Sequence, residues 1–192
     1  MGVREDKKRR TRERLELVAL ELFARRGYER TTVDDVAGAA GVSARTVFRY
    51  FPVKADLLFG DAGADLDALR DLLAEPDASL PPFDAARAAL GAFAERIGTP
   101  TNAERARVIA ASPTLAARAL ELRERWAEAV AAEVAARRGG EVHDETARLG
   151  GLLVVAVLVS AVREWSLNGG GPQDLQEAID RCAAKATEIL HA

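Results

Sequence analysis

Arg45, Thr46, Arg49 and Tyr50 all carry side chains that donate hydrogen bonds. On an α-helix they form two adjacent i, i+4 pairs and share one face. Arginine can grip a guanine edge through two hydrogen bonds, and threonine or tyrosine can reach phosphates or base edges. A short helix with this face fits the major groove of a DNA duplex. Thr32 and Ser43 stand where helices would start, and a hydroxyl beside unpaired backbone N–H groups suits a phosphate contact. Lys54, just past Pro52, adds another cation. The competing reading is that these are ordinary solvated side chains on the surface of a helical hairpin.

The elements that must hold these residues are visible in the stretch VDDVAGAAGVSARTVFRYF, residues 33–51. Thr32 can cap a first short helix, with Asp34 and Asp35 in its first turn, where carboxylates suit the helix dipole. Gly41 stops that helix, since glycine takes positive φ without steric cost. Ser43 caps the next helix at once, and Pro52 ends it. Two short helices across a glycine turn are a helix-turn-helix. Ala37, four residues before Gly41, is small enough for the helices to cross closely. Val42 fills the gap under the turn, and Val47 and Phe51 lock the second helix at i, i+4. Phe48 either packs against the preceding helix or stacks over the sugar-phosphate edge, with packing the expectation. Upstream, Leu15, Val18, Ala19, Leu22 and Phe23 make one helical face that ends at Gly27. Before it, Lys7, Lys8, Arg9 and Arg10 form a basic arm that lies along phosphates, enters the minor groove, or is merely a solvated tail.

At these residues the chain resembles a known family. GYERTTVDDVAGAAGVSARTVFRYFPVKADLL, residues 27–58, is similar to the N-terminal DNA-binding domain of TetR-family regulators. The likeness lies in the glycine-aromatic opening, the double threonine, AGVS, the T-x-F-R-Y-F run and the lysine and leucines that follow. With the preceding helix it spans about the first 60 residues of the chain. It implies an all-α homodimer that binds a near-palindromic DNA operator. It also implies a helix-turn-helix head (residues 1–52, with the basic arm) and a helical ligand-binding and dimerisation domain (residues 53–192), about nine helices in all. The family's DNA-contacting positions fall on Thr32, Ser43, Ala44, Arg45, Thr46, Arg49, Tyr50 and Lys54. Three residues depart from the pattern. Val53 replaces a frequent small polar cap, Ala44 limits base reading there to apolar contact, and Gly38 costs about 1 kcal/mol against alanine inside a helix.

The rest of the chain reads as helix after helix: one from Val53 to about Leu73, then 83–97, 102–111, 114–137, 144–167 and 173–190. The breaks are EPDASLPP, Pro100, Pro113, Gly139-Gly140 and NGGGP. Residues 149–162, LGGLLVVAVLVSAV, are apolar nearly all round, which calls for burial in a core or a dimer interface. With the last helix they would form a four-helix interface between two copies. The run is shorter than the roughly 18 residues of a membrane span, so no membrane association is expected. The ligand is a small molecule of unknown identity, and its candidate pocket residues are Phe93, Ile97, Val108, Leu122, Trp126 and Trp165. Residues 104–137 are faintly similar to relatives that sense acyl-thioesters, where Arg105, Arg107 or Arg118 would meet a phosphate. An effector that prefers one spacing of the two heads would shift the population away from DNA.

Composition agrees with this frame. Of the 192 residues, 48% are apolar and 30% charged, as in a globular chain. Residues 1–51 carry 12 Lys/Arg against 8 Asp/Glu, and the remainder 15 against 22. A polyanion would therefore meet the front of the molecule. The single cysteine, Cys182, and the lack of an apolar stretch behind the basic start point to a reducing, cytoplasmic setting. Enzymatic chemistry finds no foothold. His143 and His191 have no metal-ligand spacing, and no phosphate loop, nucleophile elbow or HExxH is present. No metal or other cofactor is expected. A helical adaptor that binds another protein, without reading DNA, is the alternative.

Overall fold

The computed structural model describes residues 3–60, 62–74, 79–137, 139, 145–168 and 170–191. Among these residues every regular element is helical, as a chain rich in alanine, leucine, glutamate and arginine favours. In order they are α1 (Val3–Arg26), α2 (Val33–Ala39), α3 (Ala44–Tyr50), α4 (Asp56–Phe59) and α5 (Ala62–Ala74). There follow α6 (Pro82–Ile97), α7 (Pro100–Ala111), α8 (Pro113–Arg137), α9 (Glu145–Asn168) and α10 (Pro172–His191). Four of the longer helices open on a proline. Proline suits that first position because its missing N–H would have no partner there, and its φ is already helical. Taking these prolines as punctuation between helices places the starts one or two residues late.

Packing divides the chain into two units. One comprises residues 1–60 and 108–118, the other residues 61–107 and 119–192. The division therefore falls after Gly60 rather than at residue 52, and the corner between α7 and α8 belongs with the first unit. The single helix expected from Val53 to Leu73 is two helices. Gly60 takes φ +55 and stops α4 after four residues. The Arg12 guanidinium donates to the Gly60 carbonyl at 3.0 Å and holds the chain at that exit. Residues 75–78, within the expected break EPDASLPP, lie outside the described residues, as does His143.

In the first unit, Leu15, Ala19 and Phe23 of α1 pack with Val36 and Ala37 of α2 and with Val47 and Phe51 around α3. Leu57 and Leu58 of α4, with Val108 and Leu115 from the α7–α8 corner, complete that core. Gly41 sits at φ +65. Its N–H donates to the Gly38 carbonyl and the next N–H, of Val42, to the Ala37 carbonyl, which closes α2 in a Schellman turn.

In the second unit, α6, α9 and α10 pack on one another, and α5 packs on α6. Phe93, Leu90, Leu158, Trp165, Leu175 and Ile179 are among the buried core. Gly151 explains how closely α9 lies on α8, since a Cβ there would stand 2.2 Å from the Ala127 carbonyl oxygen. Ion pairs bind the helices at the surface: Arg87 to Asp180, Arg96 to Asp65 and Arg181 to Glu164. The expectation of complete burial for residues 149–162 holds on one face only. Val154, Val155, Val157, Leu158 and Ala161 are buried, yet Leu149 and Leu152 are 61% and 39% exposed. The buried face is taken up by neighbours in the same unit, and the leucines of the outer face stay uncovered among the described residues. By length and composition α9 could cross a membrane, a test that the core helix of a globular protein also passes.

Candidate nucleic-acid interface

The first unit sorts the eight expected DNA-binding residues by how much each has left to offer. α3 buries Val47 and half-buries Ala44 against the core. Its outward side carries Arg45 and Arg49, both exposed, with no ion pair or hydrogen-bond partner among the described residues. The Arg49 guanidinium carbon stands 5.3 Å from the centre of the Tyr50 ring, a cation–π contact that steadies it without using its N–H donors. Thr46 and Tyr50 are half-buried on one flank of this face. Phe48, on the other flank, is 49% exposed, so it does not pack as expected. On a helix it lies about 100° from Val47 and cannot share that residue's buried side.

The capping residues are already engaged. Ser43 accepts from the Thr46 N–H at 3.2 Å, and the two hydroxyls lie 3.0 Å apart. One hydroxyl proton of this pair remains free for a phosphate. Thr32 forms a capping box with Asp35. Its backbone N–H and its hydroxyl both donate to the Asp35 carboxylate, at 2.8 and 2.6 Å. These hydrogen bonds hold the Asp35 carboxyl below its ordinary range. The two groups expected to meet a phosphate at Thr32 thus meet Asp35 instead in the free protein.

Lys54 also turns inward. Its ammonium donates to the carbonyls of Tyr28 and Thr31 at 2.8 and 2.9 Å and stands 3.9 Å from the centre of the Tyr28 ring. Burial pulls its pKa below the ordinary lysine value, with Glu29 opposing. Two of its three N–H donors are used, so it fastens the α1–α2 turn first and has one donor left for a phosphate. Glu29 in turn accepts from Ser112, which lies at the start of α8, at 2.5 Å.

α1 supplies what the sequence leaves open. The basic arm is no loose tail, because α1 begins at Val3. Glu5, Lys7, Lys8, Thr11 and Arg14 line a cleft of about 890 Å³ whose other wall is Val42, Thr46, Arg49 and Tyr50. Thr11 and Arg14 are not among the residues expected from sequence, though their spacing of four and seven from Lys7 marks them as one helical stripe. Arg9 points elsewhere and pairs with Asp6 and Glu13.

The pocket candidates scatter. Phe93, Ile97, Trp126 and Trp165 meet in the core of the second unit, where Trp126 stands edge-on to Phe93 with ring centres 5.6 Å apart. Leu122 is half-buried. Val108 is not among them; it packs in the first unit with Leu115, because the α7–α8 corner belongs there. Arg118 falls in the first unit as well. Arg105 donates to Asn102 at 2.6 Å, and Arg107 binds Glu104 and the Ser166 carbonyl.

Residues 17–60 match the family model described as bacterial regulatory proteins, tetR family, and residues 80–190 match the MftR C-terminal domain. The chain belongs to the TetR family. It is 37% identical over 150 residues to the putative mycofactocin biosynthesis transcriptional regulator MftR of Mycobacterium tuberculosis, covering 77% of this chain and 76% of that protein. It is 34% identical over 152 residues to the HTH-type transcriptional regulator TcmR of Streptomyces glaucescens, covering 75% and 67%. Thermus thermophilus FadR, a TetR-family repressor solved with lauroyl-CoA, shares the fold with a TM-score of 0.57 and 24% identity, covering 92% of this chain and 93% of that one. As a TetR-family member the protein is a transcriptional regulator with an N-terminal helix-turn-helix, and nothing in these relatives points to the adaptor alternative.

Proposed function

We propose that two copies of this chain bind a near-palindromic operator, each laying α3 in the major groove, and repress transcription until a small apolar or acyl-type effector releases them. The observation that carries the reading is the outward face of α3. Arg45 and Arg49 stand exposed there with no partner among the described residues, an arrangement that leaves both forks free for base edges. Ser43, Thr46, Tyr50 and the remaining donor of Lys54 flank that face and suit phosphates, which position the helix without reading sequence.

Dimer formation is supported by the uncovered side of α9. Leu149, Leu152 and Leu167 are exposed on it, and a stripe of that kind calls for an apolar partner. A two-fold interface built from α9 and α10 would give the pair the symmetry that a near-palindromic operator matches. The effector reading rests on the match to the MftR C-terminal domain and on the lauroyl-CoA bound by the FadR relative. Phe93, Ile97, Trp126 and Trp165 are the apolar groups such a chain would displace or line. An effector able to do this acts through the chain segments that pass between the units, after Gly60 and on either side of the α7–α8 corner. The site of action is the cytoplasm, where the DNA is.

Selection of bound duplexes from a random pool tests the proposal. An enriched inverted repeat is expected. Replacing Arg45 or Arg49 by alanine should cost about 1–3 kcal/mol on that repeat and far less on unrelated DNA. Equal weakening on every sequence would show that α3 does not read bases.

A further inference from the structure

We infer that the first three turns of α1 are a second DNA-binding element, and that the cleft between them and α3 takes the sugar-phosphate strand beside the major-groove site. This rests on the proposed operator binding and extends it to residues outside the helix-turn-helix.

Leu15 is the first fully buried residue of α1. Everything from Glu5 to Arg14 is exposed or half-exposed, so roughly 15 Å of helix projects beyond the core at 1.5 Å per residue. Arg12 anchors that segment, lying over the Phe51 ring and donating to the Gly60 carbonyl, and no side chain from Glu5 to Arg14 is fully buried. Its charges are segregated around the axis. Asp6, Arg9 and Glu13 neutralise one another on one side. Lys7, Lys8 and Arg14 occupy the opposite side with Thr11, and none of the three cations has an ion pair among the described residues. The ion pairs stabilise the helix by a few tenths of a kcal/mol each, while the other side keeps its cations uncommitted. That side faces α3 across the cleft, and Thr46, Arg49 and Tyr50 form the far wall.

The occupant follows from this chemistry. The cleft offers cations from both walls and hydroxyls from Thr46 and Tyr50, and it is continuous with the surface that would enter the groove. A phosphodiester strand matches that mixture, and a strand leaving the major groove alongside α3 would pass into it. Glu5 is the acidic group lining the cleft among the described residues, and its charge opposes the strand.

The test is operator affinity measured over a salt series. In the Lys7→Gln, Lys8→Gln, Arg14→Gln triple variant, each phosphate left without its cation should reduce the slope of log affinity against log salt by about 0.9, so roughly 2 to 3 for each copy bound and about 5 for two copies on one operator. Affinity should fall alike on operator and unrelated DNA, and the selected sequence should not change. Arg25→Gln removes a charge from the same helix outside the cleft and should leave the slope as it was. Glu5→Gln should tighten binding at low salt. Far-ultraviolet circular dichroism of the triple variant checks that α1 still forms. A slope equal to wild type, with operator binding intact, would overturn this inference alone. A wild-type protein that enriches no sequence and retains no duplex would overturn it together with the proposed function.

Discussion

The faces that the proposed function uses differ in kind between the two units. In the first, Arg45 and Arg49 on α3 and Lys7, Lys8 and Arg14 on α1 are exposed, with no ion pair among the described residues. In the second, Arg87, Arg96 and Arg181 are each tied to a carboxylate on another helix, and it is leucines of α9 that remain outside. A surface that leaves cations unpaired is poised for an anion, and one that leaves leucines uncovered is poised for another apolar surface. The same chain thus presents one unit poised for a polyanion and one poised for an apolar surface, the division of labour that the dimeric regulator proposed above would need.

The units can also be followed separately. Both tryptophans, Trp126 and Trp165, lie in the second unit and both tyrosines, Tyr28 and Tyr50, in the first. The largest effect expected is on the second unit. Phe93 is fully buried, so Phe93→Ala removes a ring, leaves a cavity against Trp126, and should cost about 3–5 kcal/mol. Tryptophan fluorescence should report an unfolding transition displaced to lower denaturant, with the near-ultraviolet tyrosine signal displaced less. Equal displacement of both signals would show that the units unfold as one body and would break the comparison on the side of stability.

A smaller effect belongs to the first unit. Thr32→Ala removes the cap of α2 and deprives Asp35 of the hydroxyl it accepts from. The cost should be about 1 kcal/mol, typical of removing a threonine cap, and it should appear in the tyrosine signal. DNA affinity should fall only by the share of molecules unfolded. If Thr32→Ala instead weakened DNA binding strongly in a fully folded protein, Thr32 would bind a phosphate in the complex despite its engagement with Asp35 in the free state.

The units are not equally legible in the sequence. The head reads closely, because its determinants are local: Gly41, the caps at Thr32 and Ser43, and the small Ala37 each dictate geometry within a few residues. What stays hidden there depends on partners distant in sequence. Lys54 turns to carbonyls 23 and 26 residues back, and no spacing rule foretells that. Phe48 misleads because its type suggests burial while its angular position does not. In the second unit, helix existence follows from periodicity, but partners do not. Val108 has the composition of a pocket residue, and only the α7–α8 corner's return to the first unit shows where it belongs. Gly60 gives little warning, because an isolated glycine in a helical pattern is usually tolerated.

The finest distinction between the units is their response to acid. In the first unit the Glu29 carboxyl is held below its ordinary value of 4.5, chiefly by the Ser112 hydroxyl and then by its own backbone N–H, with the Lys54 ammonium assisting. The Asp35 carboxyl lies below 3.8 through the hydroxyl and backbone N–H of Thr32. A carboxyl whose folded pKa is lowered stabilises the fold in full above its unfolded pKa, and that contribution disappears as pH falls through the folded value. Both groups are exposed, so the effect is small. Between pH 4.5 and the lower folded values, the tyrosine-reported transition should therefore move toward lower denaturant as acid is added. The Glu29→Gln, Asp35→Asn double variant should begin less stable at neutral pH and respond less steeply below it. A slope identical to wild type would mean that neither hydrogen bond contributes in solution, and that the α7–α8 corner is held to the rest of its unit without them, as by the packing of Val108, Ile109 and Leu115.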